Sequence, residues 1–399
     1  MTPDNVIRSD KAGLPHTVSS EPFDPHSVEQ LSPEQERYFL ASQWKMMWWR
    51  FLRHRLAVVS GIFLLLLYAS IFVCEFLAPY GTEMRDKSLP DRKTVAFAPP
   101  QIVHLFDNGE FIGPFVYGYD FKRNETTLKA EYTPNPTKIE KLRFFCEGEK
   151  YRFWGLFEGR LHLFCPAENA TLHILGTDKL GHDLLSRLIY GARISLTIGL
   201  FGVTLSFLLG IVIGGVAGYY GGWVDNLIQR VIEVLRSLPH LPLWMALAAI
   251  LPKNWSALIV YFGITIILAL LDWTGLARAV RSKLLSLREE EFCVAAQLMG
   301  ARPSRIIGRH LLPSFMSHLI ASATLSVPAM ILGETSLSYL GLGLRPPIVS
   351  WGVLLNNAQD VDTVVLYPWL MAPAIPVILV VLAFNFFGDG LRDAADPYK

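Results

Sequence analysis

Six apolar stretches of near membrane length constrain what this chain can fold into. They run near 56–78, 190–218, 226–251, 255–276, 314–343 and 367–388. A helix of about 20 apolar residues crosses the roughly 30 Å of bilayer hydrocarbon. Water does not reach the backbone there, so each crossing must satisfy its own N–H and C=O groups. The third stretch is the weakest. Arg230, Glu233 and Arg236 interrupt its first turns and Pro239 and Pro242 break its middle, which moves the crossing mostly after Ser237. Composition agrees: 51% of the 399 residues are hydrophobic, only 18% are charged, and mean hydropathy is +0.33, more apolar than a soluble domain averages. A net charge of +1 gives no sign of a nucleic-acid partner. The expected fold is an all-α polytopic membrane protein with six transmembrane helices, which puts both termini on the same side.

A polar island follows the fourth stretch. Between residues 277 and 312 stand Arg278, Arg281, Lys283, Arg288, Arg302, Arg305 and Arg309, which place this loop on the cytoplasmic side. Within it Val294, Ala295, Leu298 and Met299 share a helical face. Gly300 can end that helix, and Arg302-Pro303 leads away from it. A cytoplasmic helix with a small apolar face suits docking on a partner; an ordinary surface helix in a basic loop is the plainer alternative. The N-terminal flank is basic as well. Residues 1–34 read as a mobile cytoplasmic tail. Residues 35–55 mix Trp44, Met47, Trp48 and Phe51 with Lys45, Arg50, Arg53 and Arg55, as does an interfacial amphipathic helix in contact with membrane lipid. The first stretch starts after some fifty polar residues, unlike a cleavable signal peptide, and reads as a retained anchor.

Residues 79–175 form a separate unit between the first two crossings. Short aromatic runs such as Phe111–Tyr117 and Tyr151–Phe157 alternate with turn signals such as Asp107-Asn108-Gly109 and Pro134-Asn135-Pro136. The pattern predicts a β-rich extracytoplasmic lobe, either a spacer and docking surface or a pocket of its own. Cys146 and Cys165 lie within it and are open to two readings, a disulfide or two free buried thiols. Residues 176–189 follow as an amphipathic helix on the outer face, with Thr177 or Asp178 as its cap, Leu180, Leu184 and Leu188 as a stripe, and Asp183 paired with Arg187.

Several motifs resemble those of one family. Ala295-Ala296, then Gly300, then Leu312-Pro313 is similar to the coupling loop of ABC importer permeases, with Val294 where that family has Glu. The segment Gly176-Thr177-Asp178, Gly181-His182-Asp183, Ser186-Arg187 and Tyr190-Gly191-Ala192-Arg193 resembles the dipeptide/oligopeptide/nickel branch, with His182 where Arg is usual. Gly221-Gly222-Trp223-Val224-Asp225, the run Ile331–Gly343 and the ending Asp389–Pro397 match the same branch in order. The resemblance covers 174–397 well and 40–78 loosely; the lobe lies outside it. It implies the type I ABC importer permease architecture, with a permease core over 190–388 and a cytoplasmic C-terminal tail over 389–399. It implies a bacterial inner membrane location. It also implies a complex with a homologous second permease, two cytoplasmic ATPase subunits that hold ATP and Mg, and an extracytoplasmic solute-binding protein. The ATPase-coupling residues would be Glu291, Val294, Ala295, Ala296, Leu298, Met299, Gly300 and Arg302. The binding-protein docking residues would be Gly176, Thr177, Asp178, Gly181, Asp183 and Arg187. Cargo could be a peptide, nickel, an opine or an oligosaccharide.

Charges at membrane depth face protein or water. Glu334, with Ser336 and Ser338, either lines the translocation path or serves contacts with a partner or a broken helix. An ion-gradient-driven carrier using Glu334 and Asp272 is the competing reading, and a purely structural membrane scaffold is a third. The sequence carries no Gly-x-x-x-x-Gly-Lys-Ser/Thr loop, His-Glu-x-x-His or Gly-x-Ser-x-Gly. So no cofactor, metal site or enzymatic activity is expected of this chain.

Overall fold

The computed structural model describes residues 7–9, 15–17, 41–82, 95–107, 109–123, 125, 130–166, 170, 172–252 and 254–395. Most of the expected tail 1–34 and residues 396–399 lie outside the described residues. The chain divides into two compact units, Met1–Met46 and Met47–Lys399. In the first, β1 (Ile7–Ser9) pairs antiparallel with β2 (Pro15–Thr17), an order the composition did not suggest.

Helix α1 (Gln43–Arg53) follows, and His54 starts the next helix by accepting from Ala57 N through Nδ1 at 3.1 Å. The aromatic set of α1 divides. Phe51 is buried against Phe387, Ala57 and Ala394, while Trp48 stays exposed. Among the described residues five helical segments are long and apolar enough to cross a membrane: α2 (Arg55–Phe72), α4 (Leu184–Tyr220), α7 (Ala257–Leu287), α9 (Met316–Tyr339) and the stretch Pro368–Ala395, which contains α12 (Ala374–Ala395). The short α3 (Cys74–Leu77) closes the first of these.

The expected third crossing, 226–251, is not one helix. It divides into α5 (Gly222–Ser237) and α6 (His240–Ala249). Leu238 is extended before Pro239, as a residue preceding proline prefers, and the chain bends there. Helix α5 nonetheless packs on the bundle: Ile232 is buried with Trp273 and Ala277, and Arg281 is paired with Asp225.

Helix α4 is the spine. Its 37 residues span about 55 Å at 1.5 Å per residue. Small residues let α7 and α9 approach it closely, the usual device where helices meet in lipid. A Cβ on Gly199 would lie 2.7 Å from Ile331, and one on Gly218 2.8 Å from Leu284. These contacts orient the bundle. The end of α4 near Gly218 meets the C-terminal end of α7 and the segment that follows it. Its start near Ser195 meets the C-terminal end of α9. The two regions are 23 residues apart along α4, roughly 35 Å.

The strands gather at the Ser195 end. β3 (His104–Asp107), β4 (Glu110–Arg123) and β5 (Ala130–Lys141) form one antiparallel sheet, and β6 (Arg143–Phe153) with β7 (Phe157–Cys165) form a hairpin. A disulfide joins Cys146 to Cys165. The hairpin is fixed to the helices through its tip. Trp154 N donates to Glu75 Oε1 at 3.2 Å and Trp154 Nε1 to the Phe72 carbonyl at 3.1 Å. Arg193 of α4 pairs with Glu75 at 2.6 Å and lies 4.3 Å from the Trp154 ring. His162 Nδ1 bonds the Ala78 carbonyl at 2.7 Å.

Candidate functional site

At the Gly218 end, α7 runs into the basic loop and α8 (Glu291–Leu298) emerges from it. Gly300 at φ +80° ends α8, with its N–H on the Gln297 carbonyl and Ala301 N on the Ala296 carbonyl. This is the left-handed stop that glycine permits without strain. The helix has two faces. Cys293 and Ala296 are buried with Val280, Leu284, Ile306, Leu311, Phe315 and Leu319. Leu298 and Met299 are 84% and 81% exposed, and Glu291, Val294, Ala295, Gly300 and Arg302 are exposed around them. Ala296 therefore seats α8 on its own chain, unlike its neighbours in the expected docking set. Its size is set by the cluster beneath it. A π-helical turn, Ile306–Leu311, leads from this cluster toward α9.

At the opposite end, the helix expected over 176–189 does not form as one piece. Residues 176–183 make a closed turn and α4 begins at Leu184. Gly176 and Gly181 take φ +74° and +80°, which a helix forbids. Thr177 bridges to Asp183, and its hydroxyl donates to the Val95 carbonyl at 2.5 Å. Asp183, rather than Thr177 or Asp178, is the cap: Oδ2 accepts from Ser186 N at 2.7 Å and from Ser186 Oγ at 2.6 Å. Its Oδ1 meets His173 Nδ1 at 3.1 Å. The expected Asp183–Arg187 pair is replaced by Asp178–Arg187, because Asp183 is committed to the cap. Asp178 Oδ1 also accepts from Leu180 N and His182 N at 2.8 and 2.9 Å.

Burial alone would raise the Asp178 carboxyl, but the His182 bonds and the Arg187 charge hold it below its ordinary 3.8. The bracket thus stabilises the fold at pH values above about 4 and loses that contribution as pH falls through the lower folded value. Asp178→Ala should cost about 3–5 kcal/mol, since it strands a buried Arg187. Thermal unfolding at pH 7 and pH 3 should show a gap between wild type and Asp178→Ala that narrows at the lower pH. An equal gap at both would contradict the bracket.

Between these ends, Glu334 is fully buried. Ser195 Oγ donates to Oε2 at 3.2 Å, and Ser338 and Ser350 donate to Oε1 at 2.8 and 2.7 Å. Those hydroxyls accept backbone N–H groups of Trp351, Leu344 and Val353. One carboxyl group therefore binds α4, α9 and α10 (Trp351–Asn356) together. Ser336 is half-buried and takes no part. Asp272 lies elsewhere, accepting from Ser206 at 3.2 Å; Ser206 is three turns along α4 from Ser195, roughly 16 Å. The two intramembrane carboxyls are not brought together. Sequence reading missed Ser195, Ser350, Glu75 and Arg193 as partners. Arg193 had a signal, since it closes the quoted Tyr-Gly-Ala-Arg motif. Among the described residues no group of His, Cys, Asp or Glu is arranged to hold a metal ion.

Residues 210–398 match the model of the binding-protein-dependent transport system inner membrane component, and residues 42–100 match the N-terminal TM domain of oligopeptide transport permease C. The glutathione transport system permease protein GsiD of Pectobacterium atrosepticum is 32% identical over 354 residues, 89% of this chain and 91% of the relative. The chain belongs to the binding-protein-dependent transport system inner membrane component family. Two further permeases align over 56% of this chain. The dipeptide transport system permease protein DppC of Bacillus subtilis is 42% identical over 227 residues, 56% of this chain and 68% of the relative. The oligopeptide transport system permease protein OppC of the same organism is 38% identical over 226 residues, 56% of this chain and 72% of the relative. A methionine ABC transporter, MetNI, solved in inward-facing conformations, aligns over 53% of this chain and 97% of its own at 18% identity and TM-score 0.42. The family is that of ABC importer permeases, multi-pass components of the inner membrane that work beside a second permease, ATPases and a binding protein. Its model covers α8 and Glu334 and begins after the strands.

Proposed function

We propose that this permease forms half of the translocation pathway of an ATP-driven peptide importer. The observation that carries this reading is α8, an eight-residue helix seated by Cys293 and Ala296 with Leu298 and Met299 bare. Bare large apolar side chains on a basic surface loop suit a partner's groove. In this reading α8 docks on a cytoplasmic ATPase, and nucleotide-driven closure moves α7 and α9 through the cluster under Ala296. In this reading nucleotide is held by the ATPases, not by this chain. Work is done only because the partner binds the two states of the bundle unequally. Helices α5 and α6 together supply a bent sixth crossing, which leaves both termini cytoplasmic. The sheets and the disulfide then lie outside, where oxidising conditions preserve such bonds, and the 176–183 turn and the lobe receive the loaded solute-binding protein. Peptide cargo is supported by the names of the three relatives, which are dipeptide, oligopeptide and glutathione permeases.

Purification from native membranes through a tag on this chain tests the reading. ATPase subunits and a second permease should accompany it, and deleting its gene should abolish nucleotide-dependent uptake of a short peptide. Uptake supported by the chain alone, driven by an ion gradient, would replace this reading with the carrier one.

A further inference from the structure

Beside the Asp178–Arg187 pair is an open cavity of about 810 Å³, walled by the 176–183 turn and the start of α4 on one side and the α9–α10 connection on the other. Its charge is unbalanced. Asp178 is the one carboxylate in its lining, and His182 and Arg187 already occupy it. Lys179 and Arg345 are exposed on the wall and form no ion pair among the described residues. Arg187 is 6% exposed, and its Nε–H has no partner although Nη1 is engaged by Asp178. Buried guanidinium donors are almost always satisfied, and this one keeps an unused donor on a residue that lines the cavity. A planar fork flanked by two free cations matches a carboxylate in geometry and sign.

We propose that this cavity is a subsite for the carboxylate of a small solute, such as the C-terminal group of a short peptide. The volume lies within the roughly 300–1,000 Å³ of small-molecule pockets, more than a single side chain of a docked protein would fill. Leu344 and Val353 offer apolar wall to the rest of the solute. Ser338, on the rim, leads to the Glu334 knot. The cavity lies at the end of α4 remote from α8, where solute arrives if the chain is an importer, and the inference rests on that reading.

The test uses the complex purified through this chain, without its solute-binding protein, in nanodiscs. The probes are radiolabelled trialanine and trialanine amide. Trialanine should bind about tenfold or more tightly than the amide, the worth of one charge-assisted contact. The paired exposed substitutions Lys179→Gln and Arg345→Gln should bring that ratio close to one. Arg187→Lys, which retains a charge for Asp178 but lacks the free Nε–H, should weaken trialanine about tenfold and leave the amide unchanged. No trialanine binding, equal binding of acid and amide, or a ratio untouched by these variants overturns the subsite. Loss of binding-protein capture by the variants with an unchanged ratio also overturns it, and assigns the carboxylate to the protein partner. Uptake of trialanine, in a strain without other peptide importers, separates the two levels. If deleting this gene leaves uptake intact, the importer reading falls and the subsite with it. If uptake is lost but the ratio is unaffected, the subsite alone falls.

Discussion

Leu298→Arg combined with Met299→Arg should reduce solute uptake about a hundredfold or more while the protein remains folded in the membrane. Both side chains are more than four-fifths exposed, so their replacement leaves the chain's own packing unchanged. At a docking surface, central apolar anchors each contribute about 2 kcal/mol or more, and every 1.4 kcal/mol is about tenfold. Uptake in cells, ATPase co-purification and thermal unfolding of the purified chain check the three parts separately. Normal uptake in the double variant would remove the docking role of α8. Ala296→Arg provides the contrast. Ala296 is 2% exposed in the cluster with Cys293, Leu284 and Leu311, so a charge there should lower the unfolding temperature of the chain itself.

Glu334→Ala should destabilise the protein by about 2–4 kcal/mol. It removes the shared acceptor of three buried hydroxyls and leaves a void at the meeting of α4, α9 and α10. Glu334→Gln keeps the shape and one carbonyl acceptor and should cost about 1 kcal/mol. Unfolding in detergent measures both. The loop between Tyr339 and Trp351 should also become sensitive to protease in the alanine variant, since Leu344 N and Trp351 N are held through Ser338 and Ser195. Equal stability of wild type and Glu334→Ala would show that the knot carries no weight.

The two ends of the bundle were not equally legible. At α8 the alternation of small, apolar and charged residues and the glycine stop are local signals, and they gave the helix and most of its exposed face. Ala296, expected in the docking set, is buried instead because the cluster beneath it is built from Val280, Leu311 and Phe315, distant in sequence. At the other end Thr177 and Asp178 were the expected caps, whereas Asp183 caps the helix. The choice rests on His173, a near neighbour in sequence, and on Val95, which arrives from the far side of the strands. The six apolar runs gave five helices of crossing length, and the weak third run divided at Leu238-Pro239, where the sequence had already placed its breakers.

Hydrophobic periodicity, charge placement and the positions of glycine and proline are properties of neighbours along the chain. The sequence by itself therefore determined the membrane helices, the basic loop and the short helix that Gly300 ends. Only tertiary structure decided which carboxylates are knots, caps or cavity walls. A buried carboxylate takes its role from whichever donors the fold brings within hydrogen-bonding distance of it, and for Glu334 those come from residues as far as 139 positions away.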